Sequence, residues 1–222
     1  MQDFATARRM MVDGQIRPAD VTDLRLIDAM AALPRERFVP PASAGLAYLD
    51  LDLAIHAAPV PSTRRMLKPM VLARMIHAAD IGPEDSVLDV GGLTGYSAAV
   101  IAPLAGSVVS LEEDPELSRH AHANWRDLGL ANVTSVTGPL TAGWPQAAPY
   151  DVILVNGATQ VEPADLFSQL KDGGRLVLIA GSGPASKATL YRRSGTDVSG
   201  RPIFDANAAL LPGFAKAPAF VF

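Results

Sequence analysis

The chain has 222 residues, 49% hydrophobic and 19% charged, and no cysteine. That is the size of one domain, apolar enough to bury a core, and it excludes disulfides, thiolate metal sites and cysteine nucleophiles. Nineteen Lys and Arg against 23 Asp and Glu leave a net charge of −4, which argues against nucleic-acid binding through overall positive charge.

The first residues lack the apolar core of a signal peptide. No run of about 18 uncharged apolar residues marks a membrane span. The longest apolar run, SAAVIAPLAGSVVSL, is broken by Pro103 and Gly106. These features predict a soluble, cytoplasmic protein with no membrane or nucleic-acid partner.

Residues 1–67 read as a helical N-terminal extension with proline-rich breaks, and residues 68–222 as a core plus tail, the whole treated as one domain. In the extension, Leu24, Leu26, Ile27, Met30 and Leu33 fall on one helical face. Asp20 or Thr22 is the expected cap, and Pro34 the stop. Residues 51–67 read as an extended loop that could hold one short strand. A helix follows over 70–79, with Pro69 in its first turn.

Then come the strand SVLDVGG, the helix TGYSAAVIAPLA, the strand SVVSLEED and the helix PELSRHAHANWRDLG, stopped by Gly129. NVTSVTG and PYDVILVNGA are the third and fourth strands. PADLFSQLKDG reads as a helix with Lys171 near its end, and GRLVLIAG as the fifth strand. A hairpin around Ser194 and Gly195 closes the series. Strands alternating with helices predict the α/β class, with a mostly parallel, doubly wound sheet and a C-terminal antiparallel hairpin. The continuous apolar runs VILV and LVLIA suit strands buried on both faces. The last residues, with three phenylalanines, either cover the sheet edge or form an interface such as a homodimer's.

The informative stretch is VLDVGGLTGYSAA followed by VVSLEED. In open parallel sheets, ligands bind beyond the carboxyl ends of the strands, at the switch point. Gly91, Gly92 and Gly95 would let a ligand approach the turn backbone. Glu112 lies 21 residues after Gly91, the spacing of an acid that accepts from ribose hydroxyls. Asp89 either orients the turn or reaches a ligand amine. Asn156, at the end of the fourth strand, either faces the transferred group or caps the strand. The turn is not GxGxxG, which weighs against nicotinamide or flavin, and no phosphate-binding GxxxxGK[ST] occurs. Tyr96 is expected beside the pocket, and Trp144 near its adenine end. The four histidines and Trp125 read as surface or packing residues.

From about residue 20 to residue 195 the chain resembles the protein-L-isoaspartate O-methyltransferases. The resemblance rests on LIDAMAALPRERFVP, on KPMVLARM against the usual QPxxVARM, on VLDVGGLTGYSAAVIA, and on APYDVILV and GGRLVLIAG. It implies a Rossmann-like methyltransferase fold, S-adenosyl-L-methionine (SAM) as cofactor, and methylation of isoaspartyl carboxylates in damaged proteins. It also implies cofactor contacts from Asp89, Gly91, Gly92, Gly95, Glu112, Leu140 and Asn156.

Several positions depart from the family pattern. Leu67 stands where the family has serine, with Ser62 and Thr63 the nearby hydroxyls that could replace it. Leu93 stands at the middle glycine of the SAM loop, and Pro139 at the acid that contacts the adenine end. Methyl transfer to a carboxylate needs alignment rather than a general base. A leucine offers the acceptor no donor, at roughly 1–3 kcal/mol for a poorly satisfied group. These departures predict reduced or altered activity, or a non-catalytic protein that keeps the fold. Arg64, Arg65 and Lys68 cluster near the acceptor loop, either to bind an anion or as a solvated basic loop.

Overall fold

The computed structural model describes residues 3–55 and 64–217. The N-terminal extension holds α1 (Phe4–Met11), running into a π-helical turn, and α2 (Leu24–Ala32). The cap of α2 is Asp23, which accepts from Arg25 N, not Asp20 or Thr22. Asp20 sits one turn earlier in the left-handed region, at φ 61°. Two short strands, β1 (Leu53–Ala54) and β2 (Arg65–Met66), pair antiparallel.

The core then runs α3 (Pro69–Ala79), β3 (Ser86–Val90), α4 (Tyr96–Ile101), β4 (Ser107–Glu112), α5 (Pro115–Asp127), β5 (Val133–Thr137), β6 (Tyr150–Thr159), α6 (Ala164–Ser168), β7 (Leu170–Ala180), β8 (Lys187–Ser194) and β9 (Asp197–Asp205). Pro69 opens α3, where a missing N–H costs nothing. Asp114 caps α5 by accepting from Glu116 N at 2.8 Å.

The helix expected around Lys171 is shorter than its sequence suggests. α6 stops at Ser168, and Lys171 lies in the long strand β7. The physical reason is a partner: Lys171 Nζ donates to Asp151 Oδ2 at 2.7 Å, and Leu170 pairs with Tyr150 before the register jumps to Arg175 opposite Val152.

The seven-stranded sheet has the order β5-β4-β3-β6-β7-β8-β9. It is parallel from β5 to β7, and β8 and β9 add antiparallel. After β3 the chain winds outward through β4 and β5, then crosses back to place β6 on the other side of β3. The switch point lies at the carboxyl ends of β3 and β6.

Strand residues alternate between two apolar layers, as a period of two demands. Val152, Leu154, Val177 and Ile179 join the larger layer, with α3, α4, α5 and the N-terminal extension. Ile153, Val155, Leu176 and Leu178 join the smaller one, with Leu166, Leu211 and Phe214. The larger layer runs without a break from Met11 to Ala206, so the extension shares the core of the sheet domain.

The described part of the tail lies across the end of β6. Ala158 N donates to Ala209 O and Leu211 N to Ala158 O, at 2.9 and 3.0 Å. Among the described residues no helix is long and apolar enough to cross a membrane.

Candidate functional site

The turn between β3 and α4 sits at the switch point. Gly91 and Gly95 have φ of +73° and +91°, and Leu93 holds +58° between them. A glycine takes this left-handed region freely, and a leucine does so at a cost of about 1–2 kcal/mol. Leu93 keeps the conformation because both of its ends are held. Its N–H donates to Glu112 Oε2 at 3.0 Å, and its side chain is buried in the larger apolar layer.

Asp89 lies beneath the turn and is fully buried. Its Oδ1 accepts from Asn156 Nδ2 and its Oδ2 from Ser97 Oγ, both at 2.8 Å. Burial pushes the carboxyl up to about 6, against the pull of those two hydrogen bonds; the Glu112 charge adds to the rise. Both Asp89 oxygens thus accept from side chains beneath the turn. Asn156 also donates to Val90 O at 3.1 Å, so it ties β6 to β3 at their ends.

Glu112 ends β4 and is 2% exposed. Both oxygens are spent on the chain itself. Oε1 accepts from Glu113 N and Arg64 Nη1, each at 2.9 Å; Oε2 accepts from Leu93 N and Arg64 Nη2, each at 3.0 Å. Arg64 Nη2 also donates to Gly91 O at 3.0 Å. Arg64 is therefore neither a solvated cation nor part of a basic cluster. Arg65 is exposed, and Lys68 Nζ lies 3.7 Å from Asp50.

Leu140 and Leu211 close over the turn. A Cβ on Gly91 would lie 3.4 Å from Leu140 Cδ1 and 3.5 Å from Leu211 Cδ2. The space left between the turn, Leu67, Leu72, Tyr96 and Asn156 is about 10 Å³. That is room for one water, against roughly 300–1,000 Å³ for small-molecule sites. A wider cleft of about 300 Å³ lies between residues 37–41 and α5, and shares only Thr94 with the turn.

Leu67 is buried, and its carbonyl accepts from Arg35 Nη2 at 2.7 Å. Arg35 is itself fully buried. Its Nε donates to Ala47 O at 2.7 Å, and its guanidinium lies 4.6 Å from the centroid of the Tyr96 ring. Leu67, at the position the family resemblance gives to a serine, is thus part of the core. Ser62, Thr63 and His56 lie outside the described residues.

Pro139 leads into a short 3-10 turn over Leu140–Ala142. The Trp144 ring lies beside Gly138, 3.6 Å from where a Cβ would stand. Trp125 Nε1 donates to Gly95 O at 2.8 Å, which fixes the turn to α5. His120 and His122 are exposed and His77 half-buried. No group of three or more metal-ligating side chains occurs among the described residues.

Asp89, Gly91, Gly92, Gly95, Glu112, Leu140 and Asn156 are brought together around one turn. The sequence reading missed Ser97 and Leu211, and assigned Arg64 to the acceptor loop rather than to this turn. Ser97 was within reach, one position beyond Tyr96 on the same helix. Arg64 and Leu211 had no local signal, because their partners are 48 residues from Arg64 (Glu112) and 53 or 54 from Leu211 (Ala158 and Gly157).

The pattern of the family described as Protein-L-isoaspartate(D-aspartate) O-methyltransferase (PCMT) matches residues 7–203. A protein-L-isoaspartate O-methyltransferase of Koribacter versatilis (strain Ellin345) is 41% identical over 179 residues, 81% of this chain and 78% of that one. That of Methylorubrum extorquens (strain PA1) is 42% identical over 197 residues, 88% of this chain and 83% of that one. A solved protein-L-isoaspartate O-methyltransferase superposes with a TM-score of 0.80 at 26% identity, over 93% of this chain and 66% of that chain. A Plasmodium falciparum structure in complex with S-adenosyl-L-homocysteine shares the fold, with a TM-score of 0.75 at 14% identity, over 95% of this chain and 99% of that chain. With its Rossmann-like methyltransferase architecture, a family pattern covering most of its length and relatives at such identity, the chain belongs to the protein-L-isoaspartate O-methyltransferase family.

Proposed function

We propose that this chain is a SAM-dependent carboxyl methyltransferase directed at isoaspartyl residues of proteins and peptides, with a turnover held low by its own acceptor and nucleoside sites. Membership of the family supports the substrate class. The single observation that carries the low turnover is Leu67, buried in the core where a hydroxyl would meet the acceptor carboxylate. A charged acceptor without that donor loses roughly 1–3 kcal/mol of binding, a factor of about ten to a hundred in rate if the loss falls on the transition state.

In this arrangement the nucleoside pocket is closed. Glu112 has no lone pair turned to a ligand, and Leu140 and Leu211 lie against Gly91. Turnover then draws on a minor open population, and the apparent affinity falls by the fraction that is open. A second reading, a protein that keeps the fold without the chemistry, has the same closed Glu112 in its favour.

The deciding experiment is transfer of labelled methyl from SAM to a synthetic isoaspartyl peptide, with the Methylorubrum relative assayed in parallel. Expected are saturable incorporation at a rate ten- to a hundredfold below the relative's and a faster rate in Leu67→Ser. A rate equal to the relative's refutes the role of Leu67. No incorporation by either form establishes the second reading.

A further inference from the structure

Arg64 lies immediately before β2, on backbone that pairs with the β1 segment. Ile55 N donates to Arg64 O at 3.3 Å, and the next two residues pair with Ala54 and Leu53. Its side chain crosses to β4 and is 6% exposed; that of Glu112 is 3% exposed. The pair is a two-pronged fork, Nη1 to Oε1 and Nη2 to Oε2, with a third donation to Gly91 O. Fork geometry of this kind is the strong form of a charged hydrogen bond. A buried pair compensates its lost hydration only while the geometry is kept.

The chemistry of Glu112 defines what else can sit there. A carboxylate at the end of the second core strand accepts two donors from one ligand. A ribose diol supplies two O–H groups; the guanidinium fork supplies two N–H groups to the same two oxygens. We propose that Arg64 is an intramolecular stand-in for ribose, so that the affinity of this site for any nucleoside with a free 2′,3′-diol is set by displacement of this one side chain. The inference rests on the turn being the family's nucleoside site. Displacement would free Glu112 and Gly91 O together, because one guanidinium holds both. Arg64 becomes the residue that determines nucleoside affinity, 48 residues in sequence from the acid it blocks.

The test is calorimetric titration of the full chain with S-adenosylhomocysteine and with its 2′,3′-dideoxy analogue. The wild type is expected to bind the two with dissociation constants within twofold of each other, because the diol meets an occupied carboxylate. Arg64→Gln is expected to bind S-adenosylhomocysteine at least tenfold more tightly than the wild type, and at least tenfold more tightly than it binds the dideoxy form. Arg64→Lys, which keeps the charge and loses the fork, is expected to fall between. A tenfold preference of the wild type for the diol overturns the proposal. So does an Arg64→Gln protein that binds no better than the wild type. Failure of both variants to fold also overturns it, since a side chain that leaves the pocket of the folded protein is not one that folding requires. Tight binding by Arg64→Gln without methyl transfer to an isoaspartyl peptide leaves this inference standing and removes the proposed activity.

Discussion

Asp89 offers a quantitative test of the turn's electrostatics. Its carboxyl titrates near 6 in the folded protein, from an ordinary value of 3.8. The folded pKa lies above the unfolded one, so the native state holds the proton more tightly. The group's stabilising share is full below pH 3.8 and is lost as pH rises through about 6. Linkage puts the cost of ionised Asp89 at about 1.6 kcal/mol at pH 5 and about 3 kcal/mol at pH 8. Asp89→Asn stays neutral throughout and avoids that cost. Its oxygen still accepts from Asn156, and its amide donates to the Ser97 hydroxyl in place of the accepted bond. The variant should therefore gain on the wild type by about 1.4 kcal/mol between pH 5 and pH 8. At about 2–4 °C per kcal/mol for a chain of this size, the gap in Tm should widen by about 3–6 °C. Differential scanning calorimetry of both proteins at pH 5, 6, 7 and 8 measures it. A gap that stays flat, or narrows as pH rises, would refute the assignment of a raised, unpaired buried charge to Asp89.

Two other substitutions probe the supports of the site. Gly95→Ala combines a φ of +91° with a Cβ 2.5 Å from Trp125 Cζ2. It should cost about 2–5 kcal/mol in urea denaturation, and a near-neutral result would remove the close approach of α5 to the turn. Arg35→Met leaves the carbonyls of Ala47 and Leu67 without their donor. The expected loss is about 2–5 kcal/mol, read as a lower denaturation midpoint; an unchanged midpoint would show that Arg35 does not brace the segment holding Leu67.

Strands and turn were legible in the sequence for a local reason. In β3, β6 and β7 both faces are buried, so the apolar runs are continuous, and glycines punctuate their ends. Glu112 was legible by its spacing from Gly91. The end of α6 was not, because an ion pair to Asp151 and a register jump opposite β6 override a helical-looking stretch. The charge state of the pocket was also hidden. Three cations within five residues looked alike on paper, yet one is buried against β4, one faces solvent and one meets Asp50. Which is which depends on where β2 lies relative to β4, a tertiary fact with no trace in local composition. Leu93 shows the opposite limit: a residue that breaks the glycine pattern while the backbone keeps the glycine conformation, held by a hydrogen bond to an acid 19 positions away.

The tail's attachment to β6 has a kinetic consequence. Leu211 donates its amide to Ala158, and its side chain stands over Gly157 and Gly91. Lifting the Leu211 backbone off the pocket breaks that bond. Exchange of the Leu211 amide with deuterium therefore clocks this lifting directly, and its protection factor gives the free energy of that opening, separate from global unfolding.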